Sequence, residues 1–116
     1  MKFTLTTLEV SNLERSVRFY RDSLGLPLIE RFLSGSGAQI AMLGDPDSAH
    51  LELIQKETSD ATESHEGFSV GFKIAHAGIL AASLDPNFVG PISPNPRLKF
   101  YFIRDPDGYR VQLIDA

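Results

Sequence analysis

The sequence predicts an α+β fold built from two modules, each running strand, helix and then three strands. Three observations lead there. Leu43–Ile54 aligns without gaps on Ile103–Ile114, with Asp-Pro-Asp and the closing Leu-Ile identical and Leu51 matched by Val111. Each copy is preceded by a stretch that reads as a strand followed by a helix. Between the halves runs Lys56–Glu66, polar throughout except for Ala61, a composition that cannot enter a core and is expected to act as a connector. A repeat of this kind implies one supersecondary unit used twice. Two hairpins could share Asp-Pro-Asp turn chemistry by chance, but the matching order of elements on both sides argues against it.

Taken in order, Phe3–Val10 alternates and is rich in Thr and Leu, which predicts a strand. Ser11-Asn12-Leu13-Glu14 has the spacing of a capping box, with Ser11 as the cap and Glu14 three residues on. Leu13, Val17, Tyr20 and Leu24 then recur at helical spacing with Phe19 beside them, while Arg15, Arg18 and Arg21 are placed toward water. Gly25 is expected to end this helix in a left-handed conformation. Strands are predicted at Pro27–Leu33, Ala38–Leu43 and His50–Gln55, separated by turns at Ser34–Gly37 and Gly44–Asp47.

The second module repeats this plan less regularly. Phe68–Ile74 reads as a strand, and Ala77, Leu80, Ala81 and Leu84 support a short helix that begins near His76 and ends at Asp85-Pro86. Four of the seven prolines lie between Pro86 and Pro96, which predicts a stiff irregular stretch with at most a short edge strand near Val89. Leu98–Arg104 and Arg110–Asp115 are predicted as strands around the turn Asp105-Pro106-Asp107-Gly108.

Length and composition narrow the function classes. A chain of 116 residues has room for one domain that buries roughly two-thirds of its unfolded surface. That domain is expected to comprise a first module over about residues 1–56, a connector over 57–66 and a second module over 67–116. With no cysteine in the chain, disulfides and thiolate chemistry are excluded. Eleven basic residues against fifteen acidic give a formal charge of −4, and the basic residues are scattered singly, so a nucleic-acid partner is not expected. No apolar run approaches the roughly 20 residues of a bilayer span, and the N-terminus lacks a signal-peptide core. The chain is therefore expected to be soluble and cytoplasmic, without a membrane partner. The sequence contains no Gly-x-Ser-x-Gly elbow, and Ser34-Gly35-Ser36-Gly37 lacks the lysine and helix of a phosphate loop.

Two segments carry a resemblance. Leu8-Glu9-Val10-Ser11-Asn12-Leu13-Glu14-Arg15-Ser16, with Phe19-Tyr20-Arg21-Asp22-Ser23-Leu24-Gly25-Leu26, resembles the opening of vicinal oxygen chelate proteins, the superfamily of glyoxalases, bleomycin-resistance proteins and extradiol dioxygenases. Phe102-Ile103-Arg104-Asp105-Pro106-Asp107-Gly108-Tyr109, with Leu113-Ile114, resembles their closing segment. The resemblance implies two βαβββ modules forming a curled mixed sheet around a cleft, commonly in a homodimer. It also implies one metal ligand on each of four cleft strands, at positions that here hold Leu5, Glu52, Phe68 and Gln112. Leu5 and Phe68 cannot coordinate a metal, and an amide oxygen is a weak donor for Zn, Ni or Fe. A metal cofactor is accordingly disfavoured, and the metal-dependent reactions of the superfamily with it.

Alternation along strands assigns the faces. His50, Glu52 and Ile54 form one stripe, matched by Arg110 and Gln112 in the second module. Leu5 with Thr7, and Phe68 with Val70, are expected to complete a ligand-binding cleft that is apolar with a few converging polar groups, the usual character of a small-molecule site. Leu8 and Val10 are expected on the opposite face, against the helix. Glu52 is the candidate for chemistry, since a carboxylate facing an apolar cavity is expected to hold its proton more tightly and could serve as a general acid or base. Equally, it could be a carboxylate hydrogen-bonded to Gln112 or paired with Arg110 and doing no chemistry, or a contact for a ligand. His50 reads either as a partly exposed strand-start residue or as a partner of Glu52. His65 is expected to be solvated, and could replace Phe68 in a metal site only through a shift in register. Of Phe100, Tyr101 and Phe102, one or two are expected to line the cleft, with Phe102 assigned to the core.

Three functions follow, in order of preference. The first is a metal-free protein that binds a small, partly apolar molecule, as bleomycin-resistance proteins do. The second is a lyase, isomerase or dioxygenase with substitute ligands such as His50 and Glu52. The third is a non-catalytic module whose cleft is filled by its own side chains. The sequence leaves open whether the cleft lies within one chain or across a dimer.

Overall fold

The computed structural model describes residues 1–57 and 66–116, so most of the expected connector, His65 included, lies outside the described residues. The chain divides into two compact units, Met1–Thr62 and Glu63–Ala116. In the first unit, β1 (Leu5–Glu9) leads to α1 (Leu13–Val17) and a π-helical turn (Arg18–Ser23), followed by β2 (Leu28–Leu33), β3 (Gln39–Leu43) and β4 (His50–Gln55). In the second, β5 (Ser69–Ile74) is followed by α2 (Ala77–Leu84), β6 (Val89–Asn95), β7 (Leu98–Arg104) and β8 (Arg110–Asp115). The sheets are ordered β1-β4-β3-β2 and β5-β8-β7-β6. In each, the first strand pairs with the last in parallel and the other pairings are antiparallel. Two βαβββ modules of identical topology are thus present, each a four-stranded mixed sheet, as the repeat predicts.

In the first unit the helix packs as its spacing requires. Leu13, Val17, Tyr20 and Leu24 are buried, together with Val10 just after β1 and Leu8, Ala41, Leu43, Leu51 and Leu53 of the strands. Full burial of each Leu or Val contributes about 1.5–3 kcal/mol, so this stripe is what holds the short helix in place. The cap differs from the expectation. Asn12, not Ser11, is the N-cap, and its Oδ1 accepts the Arg15 backbone N–H at 3.0 Å. Ser11 lies one residue too early to reach that amide, and its hydroxyl accepts from the Arg15 guanidinium at 2.8 Å. Glu14 is paired instead with Arg31 of β2 at 2.8 Å. After Val17 the helix widens, with the Leu24 N–H reaching the Phe19 carbonyl, and Gly25 ends it at φ +84, the left-handed position for which glycine has the lowest cost.

In the second unit Ala77 and Ala81 are the buried residues of α2, which packs on β7 and β8. His76 caps its start in a left-handed conformation and Asp85 ends it. The stretch expected to be irregular forms a seven-residue edge strand, β6, which corrects that expectation. It pairs with β7 only at Val89–Phe102, Ile92–Phe100 and Asn95–Leu98, with the register shifting between them. Proline removes a donor, but an edge strand needs donors on one side only, and the three paired positions here are all non-proline. Gly90 sits at φ +126, where a Cβ would lie 2.9 Å from the Phe100 carbonyl oxygen and 2.8 Å from the Tyr101 ring, so only glycine fits this bend. Among the described residues, no helix is long and apolar enough to cross a membrane.

Candidate functional site

The two repeat copies are structurally equivalent hairpins. In β3–β4, Leu43 faces Leu51 and Met42 faces Glu52; in β7–β8, Ile103 faces Val111 and Phe102 faces Gln112. The turns share their chemistry. The Asp45 carboxylate accepts the Asp47 N–H at 2.9 Å, and the Asp105 carboxylate accepts those of Asp107 and Tyr109, each at 2.9 Å. Asp105 is buried and Asp45 exposed. These turns fix register, and register decides which side chains share a face.

On the face of the first sheet away from the helix, Leu5 lies beside His50 and Thr7 beside Glu52. The Thr7 hydroxyl donates to the Glu52 carboxylate at 2.7 Å. Within its own unit the Glu52 carboxylate thus has a partner on the neighbouring strand. His50 Nδ1 lies 2.9 Å from the Ser48 carbonyl. A carbonyl can only accept, so Nδ1 carries a proton, and in the neutral ring the lone pair lies on Nε2. Leu5, Thr7, His50 and Glu52 therefore come together on one face, as their alternation predicts.

The second sheet departs from expectation at its first strand. Ser69 pairs with Arg110, Gly71 with Gln112 and Val70 with Val111. A Cβ on Gly71 would lie 3.5 Å from the Gln112 amide oxygen. Ser69 and Gly71 thus occupy the Arg110–Gln112 face. Val70 points with Val111 to the other side, and Phe68 stacks edge-on against buried Tyr109 at 6.4 Å. The expectation that Phe68 and Val70 share the cleft face is corrected, because β5 meets β8 with Ser69 and Gly71 opposite Arg110 and Gln112, and a pairing offset of one residue reverses every side chain.

Phe102 is also reassigned. Tyr101 and Ile103 are buried, whereas Phe100 and Phe102 lie on the Arg110 face, half-buried and in edge contact at 5.4 Å. The Arg110 guanidinium sits over the Phe102 ring at 5.2 Å, a cation–π geometry. Val89 and Ile92 of β6 extend this apolar floor, and Asp85, Arg104 and Arg110 border it, lining an open pocket of about 320 Å³. Val89, Ile92, Asp85 and Arg104 were not among the sequence candidates. Counting back from the Asp-Pro-Asp-Gly turn would have placed Arg104 and Phe102 opposite Arg110 and Gln112, but no signal in the proline-rich segment marked Val89 and Ile92.

The residues do not fit the metal centre that the fold family implies. Of the four family positions, Leu5 and Phe68 offer only hydrocarbon. By register, Ser69 rather than Phe68 is the counterpart of Leu5, but a serine hydroxyl and the Gln112 amide are poor donors for Zn, Ni or Fe. Among the described residues, no three His, Asp or Glu side chains converge.

Comparison with known proteins agrees with this architecture. The family model for the glyoxalase/bleomycin resistance protein/dioxygenase superfamily matches residues 2–113. A protein named lactoylglutathione lyase from Haemophilus influenzae is 28% identical, with 99% of this chain and 93% of that protein covered. The structure of glyoxalase I from Leishmania major superposes with a TM-score of 0.81 at 21% identity, covering 99% of this chain and 86% of that one. An antibiotic-binding protein from Streptomyces superposes with a TM-score of 0.71 at 18% identity, covering 100% of this chain and 96% of that one. By its repeated βαβββ topology and this near-complete match, the chain belongs to the glyoxalase/bleomycin resistance protein/dioxygenase superfamily.

Proposed function

We propose that this protein binds a small, partly apolar molecule without a metal, and that the pocket over Phe102 in the second unit is where it does so. The observation that carries this reading is the pocket of about 320 Å³ with Phe102, Val89 and Ile92 as floor and Arg110 at its edge. Its size lies at the lower end of small-molecule sites, and an apolar floor with few polar groups is their usual make-up. The same fold serves the antibiotic-binding protein from Streptomyces. The protein is proposed to act in the cytoplasm as a homodimer.

The test pairs elemental analysis of untagged protein with ligand screening by thermal shift. The expected outcome is no stoichiometric Zn, Ni, Mn or Fe in wild type or Glu52→Gln, no change in melting temperature on chelation, and stabilisation by small amphipathic compounds. A stoichiometric metal that Glu52→Gln abolishes would count decisively against this reading.

A second reading, an enzyme of lyase type, is favoured by the relative named lactoylglutathione lyase. In this reading the Thr7-bonded Glu52 carboxylate acts as the base, with Nε2 of His50 two residues away on the same stripe. Turnover of lactoylglutathione by wild type, lost in Glu52→Gln while the fold is kept, would establish it.

A further inference from the structure

We infer that the molecule held over Phe102 is an anion, a small apolar or aromatic carboxylate whose charged end is taken by Arg110 and Arg104; this rests on the proposal that the pocket binds a ligand. Arg104 and Arg110 are direct cross-strand neighbours of β7 and β8, so two cations project from the same face of one sheet. Like charges placed opposite each other are destabilising, and an arrangement of that kind is relieved when an anion lies between them.

Among the described residues, neither Arg104 nor Arg110 forms an ion pair with a carboxylate. Arg104 donates to the Gly108 carbonyl at 3.1 Å, and Arg110 rests on the Phe102 ring at 5.2 Å. Asp85 is the one acidic residue bordering the pocket, and its oxygens are engaged by backbone. One accepts the Asn87 N–H at 2.8 Å and the other the Arg104 N–H at 3.0 Å. Asp85 thereby ties the end of α2 to β7, and neither of its oxygens is paired with a guanidinium among the described residues.

The floor explains the remainder of the ligand. Phe102, Val89 and Ile92 present hydrocarbon with no hydrogen-bonding group of their own, so a body that stacks or packs there must be apolar. Arg110 already lies over the Phe102 ring, which restrains its planar fork and lowers the entropy lost when it grips a carboxylate with two parallel hydrogen bonds. An aromatic or branched aliphatic acid satisfies both ends of this site. A cation would face two arginines, and a neutral molecule would leave them unmatched.

The test uses matched probes on the full-length protein, by calorimetry and thermal shift: phenylacetate, cinnamate and isovalerate, each against its own amide. The expected result is that the acids bind about tenfold or more tightly than the amides. That preference should fall away in Arg110→Gln, with a smaller loss in Arg104→Gln. Raising the ionic strength should weaken the acids and leave the amides unchanged. Far-UV circular dichroism and the melting temperature of each variant report whether it is folded, and Phe102→Leu should weaken acid and amide alike. If acids and amides bind equally, or Arg110→Gln retains the preference, the anion inference fails while the pocket stands as a small-molecule site. If no acid and no amide binds, the pocket itself is refuted, and the inference with it.

Discussion

Asp105 and Asp45 occupy the same position in the repeat and make the same bond to the residue two ahead, yet their surroundings differ. Asp105 is only 5% exposed and its carboxylate holds two backbone N–H groups, whereas exposed Asp45 holds one. Removing a buried acceptor strands its donors without water to replace it, at about 1–3 kcal/mol for each. Asp105→Ala is therefore expected to lower unfolding stability by about 2–6 kcal/mol, and Asp45→Ala by less than about 1 kcal/mol because water can take over. Urea titration of both variants checks the order. Equal losses would mean that burial does not distinguish the two turns. A pair that matches in sequence thus diverges in energy, and the divergence comes from what covers the turn.

At the scale of elements, α1 and β2 are joined by the ion pair of Glu14 and Arg31. Hydrogen bonding and charge from Arg31 hold the Glu14 carboxyl below its ordinary value. A carboxyl whose folded pKa is depressed contributes stability that is present above its unfolded pKa and lost as the pH falls through the folded one. Glu14→Gln is accordingly expected to melt lower than wild type at neutral pH, by a small margin since the pair is on the surface. The gap should close as the pH drops below the usual carboxylate range. Melting curves across that range check this, and a gap that widens toward acid would show that another group governs the trend. The helix N-terminus teaches a related lesson. Ser11 and Asn12 are both good caps, and the choice between them was settled by where β1 ends and Leu13 must be buried, which local spacing does not contain.

At the scale of the whole chain, one topology is written twice, and the second copy serves the proposed site more fully. The first sheet carries the Thr7–Glu52 pair, and the second carries the arginine-bordered pocket. Phe32 and Leu33 on edge strand β2 are exposed, Leu33 at 70%, apolar surface of the kind that association covers. The homodimer proposed above should show a light-scattering mass of about twice the 12.8 kDa of one chain. A mass of one chain across the accessible concentration range would remove the dimer from the proposal.

The sequence by itself determined the two modules, because the Asp-Pro-Asp turns, the helical stripe from Leu13 to Leu24 and the alternation of β4 and β8 are local patterns with local physical causes. It also determined that Leu5 and Phe68 can offer a metal only hydrocarbon, since coordination chemistry is a property of side-chain identity, whereas register makes Ser69 rather than Phe68 the counterpart of Leu5. Only the tertiary structure decided which face each strand of the second module presents. Phe68, Val70 and Phe102 were placed on the wrong side, because a strand's phase depends on which partner residue it meets, and a shift of one position inverts the assignment. The site at β6 was decided in the same way. Prolines argue against a strand wherever every N–H must be paired, but an edge strand requires only some of them. Whether Val89 and Ile92 lie at such an edge is a fact about neighbouring strands, not about the segment that contains them.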